Sequence, residues 1–120
     1  MRHMIRELLV LLVWTVVLFV LMLAPVPSIT REVAGFGHWD KLAHFGLFAV
    51  TGLVSAYSAK PLGHLRNRIL FGLLFSGALA LVTEGAQHFV ANRGGSFLDF
   101  MADLAGLSLA LLLYALWKLR

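Results

Sequence analysis

Seventeen consecutive residues, Leu8 to Ala24 (LLVLLVWTVVLFVLMLA), carry no charge and one polar side chain, Thr15. A run of this kind has few places to go. A bilayer core of ~30 Å takes about 20 apolar residues at ~1.5 Å rise each, so with its flanks this stretch is long enough to cross. The rest of the chain is built alike. Of 120 residues, ten are Lys or Arg and six are Asp or Glu, while 60% are hydrophobic. The mean hydropathy is +0.86. A small soluble domain has much surface for its volume and needs polar side chains to cover it. Sixteen charges cannot do so, which excludes a soluble globular enzyme and a disordered segment. The absence of cysteine excludes a disulfide scaffold, a thiol nucleophile and any Cys-ligated metal.

The pattern predicts an all-α, polytopic membrane protein: one domain over 1–120, a bundle of four transmembrane helices with spans near 8–24, 42–59, 69–90 and 97–117. Arg2 and Arg6 before the first run also suit a secretory signal peptide. Such a peptide has a shorter apolar core and an A-x-A-like site, whereas Ala24 is followed by Pro25 and Pro27, so an uncleaved helix is expected. The prolines end it. Pro61 with Gly63, and the turn ANRGGS from Ala91 to Ser96, separate the later spans. The third span is the weakest, because its charge-free part, Ile69 to Thr83, must be extended through Glu84.

Basic residues near span ends mark the cytoplasmic side. Arg2, Arg6, Lys60, Arg66, Arg68, Lys118 and Arg120 belong to the two termini and the middle loop, against Arg31, Lys41 and Arg93 in the other two loops. Both termini and the middle loop are therefore expected in the cytoplasm. The high pI is an orientation signal, and no nucleic-acid partner is expected.

Polar groups within spans are costly, about 2.5–3.5 kcal/mol for an Asp at a helix centre, and face the bundle interior. Glu84, Gln87 and His88 share one helix face, which continues backwards through Ala80, Ser76 and Gly72. Asp99 and Asp103 share another, continuing through Gly106, Ala110 and Leu113. Asp40, Lys41 and His44 open the second span, whose inward face runs through Phe48, Thr51 and Ser55. An antiparallel hairpin of spans three and four brings these groups to one outer pocket, with Arg93 in the connecting turn as counter-charge. The candidate site is thus Asp40, Lys41, His44, Glu84, Gln87, His88, Arg93, Asp99 and Asp103. The plainer reading of the same residues is an ion-pair network locking the helices, with Asp40, Lys41 and Asp99 as ordinary helix-end residues. Glu84 and His88 have the spacing of two metal ligands but no third partner or H-E-x-x-H pattern, so neither a metal nor a cofactor is expected.

Two blocks carry a resemblance. DKLAHF, Asp40 to Phe45, and EGAQHFVANRGGSFLDFMADLAG, Glu84 to Gly106, together resemble the VanZ-like family of bacterial integral membrane proteins. The second block matches through Glu84, Gln87, Arg93, Asp99, Asp103 and Gly106. It departs from the family pattern at Asp103, where Asn is commoner, and in the Ala91-Asn92 pair before Arg93, where Pro is frequent. The resemblance implies a place in the cell envelope, in a bacterial cytoplasmic (inner) membrane, and, through the family's namesake, a link to teicoplanin-type glycopeptide resistance or envelope homeostasis. It implies little mechanism. Three functions remain open: binding a lipid-linked or glycolipid headgroup in the outer pocket, enzymatic action on such a headgroup, and a structural or oligomeric role. Membrane lipids, such a headgroup and a second copy of the chain are the expected partners.

Overall fold

The computed structural model describes residues 1–24, 36–90 and 96–120, the side chains of Phe36, Gly37 and His38 excepted. It is all-helical: α1 (Arg2–Leu23), α2 (Phe36–Ser58), a 3₁₀ turn (Lys60–Leu62), α3 (Leu65–Gln87) and α4 (Phe97–Leu119). By length and composition, α1, α3 and α4 are each long and apolar enough to cross a membrane. A helix of 22 or 23 residues is about 33–35 Å long. Large apolar side chains stay exposed along these three helices, among them Leu12, Val20, Leu74, Leu81, Leu112 and Leu116. An apolar coat of that extent on a monomer suits lipid, not water.

Helix ends correct the expected spans. α1 starts at Arg2, before the apolar run, because Arg6, Glu7 and Met4 are good helix formers and nothing in the segment breaks it. Its stop is as expected: Ala24 precedes a proline, and its backbone is extended with φ −61° and ψ 130°. α2 starts at Phe36, not near Leu42, so Asp40 and Lys41 lie inside the helix. α3 runs from Leu65 to Gln87, earlier at both ends than expected. Gly63, with φ +77°, turns the chain sharply enough for the helix to begin two residues later. The extra N-terminal turn, and not only the segment around Glu84, completes the length of this helix.

α2 contacts α1, α3 and α4. Its broad interface with α4 is set by two glycines. A Cβ on Gly106 would collide with the backbone of Phe45, and one on Gly52 would lie 3.1 Å from the Leu107 carbonyl oxygen. Small residues let backbones approach in this way. The core between the helices holds Leu18, Met22, Phe48, Ala56, Leu79, Ala80, Leu107 and Leu111. The expected inward faces hold for Phe48, Thr51 and Ser55 and for Gly72, Ser76 and Ala80, all buried. Ser55 Oγ and Ser76 Oγ meet at 3.2 Å across α2 and α3. The expected face of α4 holds for Gly106 and Ala110 but not for Leu113, which is exposed; Leu107 and Leu111 turn inward beside them.

The two ends of the bundle differ in chemistry. At one end Met1, His3, Arg6 and Glu7 lie beside Lys60 and Pro61. At this end too, Arg68 donates to the Tyr114 hydroxyl and, through Nε, to the Ala56 carbonyl at 3.2 Å. Both chain ends and the turn between α2 and α3 therefore gather there. The acidic residues of α2, α3 and α4 gather at the other end.

Candidate functional site: a buried polar cluster across three helices

Each helix presents its polar groups at helical spacing. Asp40 and His44 are four apart on α2, Glu84 and Gln87 three apart on α3, and Asp99 and Asp103 four apart on α4. α2 and α4 run parallel, so their first turns meet, and α3 delivers its last turn to the same level. There His44 Nδ1 and Asp103 Oδ1 form a hydrogen bond of 2.7 Å between side chains 1% and 0% exposed. His44 Nε2 lies 3.8 Å from Asp40 Oδ2. Lys41 Nζ lies 3.3 Å from Asp99 Oδ1.

Ser96 organises the start of α4. Its hydroxyl accepts from the Asp99 backbone N–H at 3.0 Å, capping the helix, while its own N–H donates to Glu84 Oε1. The hairpin is thereby tied at the level of the cluster. Gln87 turns the other way: its Nε2 donates to the Met22 carbonyl at 2.6 Å and holds α3 to the end of α1. Its donor group is structural and its oxygen is free for other work.

The cluster is short of partners. Among the described residues, His44 Nε2, Glu84 Oε2, Gln87 Oε1 and Asp103 Oδ2 are buried without a hydrogen bond. Native proteins pair the great majority of buried polar atoms, so these four are among the most costly groups of the bundle interior. A groove of about 320 Å³ lined by Leu81, Glu84, Gly85, His88, Ser96, Phe97 and Phe100 opens between α3 and α4 beside Glu84. Apolar on most of its wall and polar at Glu84, His88 and Ser96, it suits an amphiphile.

Of the nine expected site residues, the structure brings together Asp40, Lys41, His44, Glu84, Asp99 and Asp103, with Gln87 beside them. His88 is not in the buried cluster: α3 ends at Gln87, so His88 is the C-cap, exposed on the wall of the groove. Arg93 lies outside the described residues. Two features outside the cluster escape the sequence reading, one at the opposite end and one mid-bundle. Glu7 is 2% exposed, with Oε1 on Arg6 at 3.1 Å and Oε2 without a partner among the described residues. Trp14 Nε1 donates to Thr51 Oγ1 at 2.9 Å, joining α1 to α2. The Ser96 cap had a signal, Ser followed three residues later by Asp before an apolar run.

Comparison with protein-family models, with curated proteins and with solved structures yields no match.

Proposed function

We propose that this chain is a VanZ-like, four-span protein of the bacterial cell envelope that binds the headgroup of a lipid-linked or glycolipid molecule at the acidic end of its bundle. The observation that carries this reading is the set of four buried, unpartnered polar atoms next to a mostly apolar groove. A headgroup satisfies such atoms, and its acyl or prenyl tail lies along exposed Leu81 and Phe97. Lys41, 40% exposed beside Asp99, offers positive charge to an anionic group at the rim. The two motif blocks add the envelope setting and the expectation of an effect on glycopeptide tolerance. Basic residues at the end holding both termini favour a cytoplasmic location for that end, with the acidic cluster on the outer side. α2 is read as the fourth span. Because its interface with α4 is the broadest in the bundle and it also packs against α1 and α3, it needs less apolar surface toward lipid.

The test is single substitution of Glu84→Gln, Arg93→Ala and Asp99→Asn, with membrane abundance and envelope phenotype measured on the same cells. Loss of phenotype at normal abundance is the expected result. Collapse of abundance in all three would replace the binding site by a structural network. Reporter tags on both termini test the orientation, and a periplasmic C-terminal tag overturns it.

One observation favours an enzymatic reading of the same pocket. A carboxylate on one nitrogen of a buried imidazole, as Asp103 is on His44, is the arrangement that orients a general base. That reading requires a lipid product that disappears in His44→Gln at unchanged abundance.

A further inference from the structure

Among the described residues, four carboxylates share the acidic end, Asp40, Glu84, Asp99 and Asp103, and the charge around them is unevenly matched. Lys41 neutralises Asp99. On the other side of the imidazole, His44, Glu84 and Asp103 each offer one potential ligand atom, and these atoms lie within 4.8 Å of one another. No Lys or Arg among the described residues forms an ion pair with Glu84 or Asp103. Each of the three residues is more than nine-tenths buried, and among the described residues Glu84 Oε2 and Asp103 Oδ2 have no hydrogen-bond partner. Two buried carboxylates left in this state are costly unless a positive charge joins them.

We propose that His44, Glu84 and Asp103 bind a divalent transition-metal cation, of the zinc or manganese class, between α2, α3 and α4. The donor set decides the class. Zinc accepts both imidazole nitrogen and carboxylate oxygen, and manganese suits a site in which carboxylates are the majority, so one nitrogen with two carboxylates fits either. The distances agree. Ligand atoms at about 2.0–2.2 Å from a zinc ion stand roughly 3–4 Å from each other, so the three side chains need only a small closure. Asp40, His44 and Asp99 form a second group within the same distance limit, but Lys41 already supplies the charge there. Three protein ligands leave a coordination position open, as in catalytic zinc sites. Gln87 Oε1, buried without a partner on the same face of α3 as Glu84, is available to accept from a water at that position. The ligands come from three helices at positions 44, 84 and 103, so no local spacing motif announces them. The expectation of no metal was drawn from Glu84 with His88, and His88 is not in this cluster.

The metal takes side chains on which the headgroup reading also relies, and its test contains no lipid, so metal binding and headgroup binding are told apart. The full chain, purified in detergent and stripped with a chelator, is titrated with Zn²⁺ by calorimetry. It is titrated with Mn²⁺ by loss of the free-ion EPR signal. The expected result is a single ion per chain, weakened about tenfold to a hundredfold or more in His44→Gln, Glu84→Gln and Asp103→Asn. Binding should be unchanged in Glu7→Gln at the opposite end. Bound Mn²⁺ should also show nitrogen hyperfine coupling that vanishes in His44→Gln. A wild-type chain of intact helicity that binds neither ion overturns the proposal, even if a ligand variant fails to fold. So does binding without nitrogen coupling, equal weakening in Glu7→Gln, or binding that emerges only after Arg93→Ala, which would make the arginine the occupant.

Discussion

Replacing Gly106 with alanine should loosen the whole acidic end. A Cβ built at Gly106 strikes the Phe45 carbonyl group, with the carbonyl carbon at 2.9 Å and Cα at 3.1 Å. Carbon atoms rest about 3.5 Å apart, so relieving the carbon contacts alone takes a retreat of α4 from α2 of roughly 0.6 Å, and the Phe45 carbonyl oxygen, which lies closer still, demands more. The obstacle is backbone, so no rotamer change relieves it. Asp103 precedes Gly106 by one turn and moves with it. Its 2.7 Å hydrogen bond to His44 then stretches past about 3.3 Å, beyond the usual limit. Overpacking costs about 1–3 kcal/mol, and the loosened hydrogen bond adds about 1 kcal/mol. Gly52→Ala meets the Leu107 carbonyl at 3.1 Å and should cost less. Gly72→Ala meets only the movable end of the Leu111 side chain, at 2.9 Å, and should cost least of the three. Gly77→Ala meets nothing and serves as the control. The assay is SDS titration of detergent-solubilised protein followed by circular dichroism. The expected order of destabilisation is Gly106, then Gly52, then Gly72, then Gly77. If Gly106→Ala unfolds with the control, the close approach of α2 and α4 is wrong, and with it the geometry of the cluster.

Gln87→Met keeps the volume but removes the donor to the Met22 carbonyl, and should destabilise by about 1–3 kcal/mol in the same titration, chiefly by freeing α1. Trp14→Phe added to Gln87→Met removes the other cross-link of α1, and proteolysis between α1 and α2 should rise further than in either single variant. Tyr114→Phe leaves Arg68 its bond to the Ala56 carbonyl and should cost about 1 kcal/mol. Arg68→Lys should cost more, since one ammonium cannot reproduce the planar fork that reaches both partners. Ser96→Ala removes the cap of α4 and should cost about 1 kcal/mol. Hydrogen exchange at the Asp99 amide should speed up, and an unchanged rate there would refute the cap.

The cluster was legible because its residues are conspicuous where they occur. Asp103, Glu84 and His44 stand inside apolar segments, and stepping along each helix from them passes through small or hydroxyl residues that fit only an interior. Gly72, Ser76 and Ala80, and Thr51 and Ser55, were found this way and are buried. The same stepping failed at Leu113 because an α-helix advances 3.6 residues per turn and a stripe drifts along it. Toward its C-terminus α4 turns Tyr114 to Arg68, and Leu113 is carried outward. Helix starts were misjudged because charged residues at a span's edge are good helix formers, so the end of an apolar run is not the end of a helix. The bond from Gln87 to a backbone carbonyl has no signature, since every residue offers that acceptor. Glu7 was missed for a different reason. A carboxylate among arginines reads as solvated, and only the fold reveals that α1 rotates it inward.

The glycines and the carboxylates are one design problem. In a chain this poor in charge, buried acids are tolerable only if other groups reach them closely, and a helix reaches closely only where its surface is small. Gly106 sits one turn beyond Asp103 and Gly52 two turns beyond His44, so the contacts that let α2 and α4 touch also fix the spacing of the acids. Glu84 arrives on α3, whose approach is made by Gly72, Ser76 and Ala80 and locked by the Ser96 amide. Stability alone would be served as well by apolar side chains at these positions, since a buried ion pair is often no better than a hydrophobic replacement. The packing instead holds His44, Glu84 and Asp103 in a fixed array, which is the preorganisation that either proposed occupant requires.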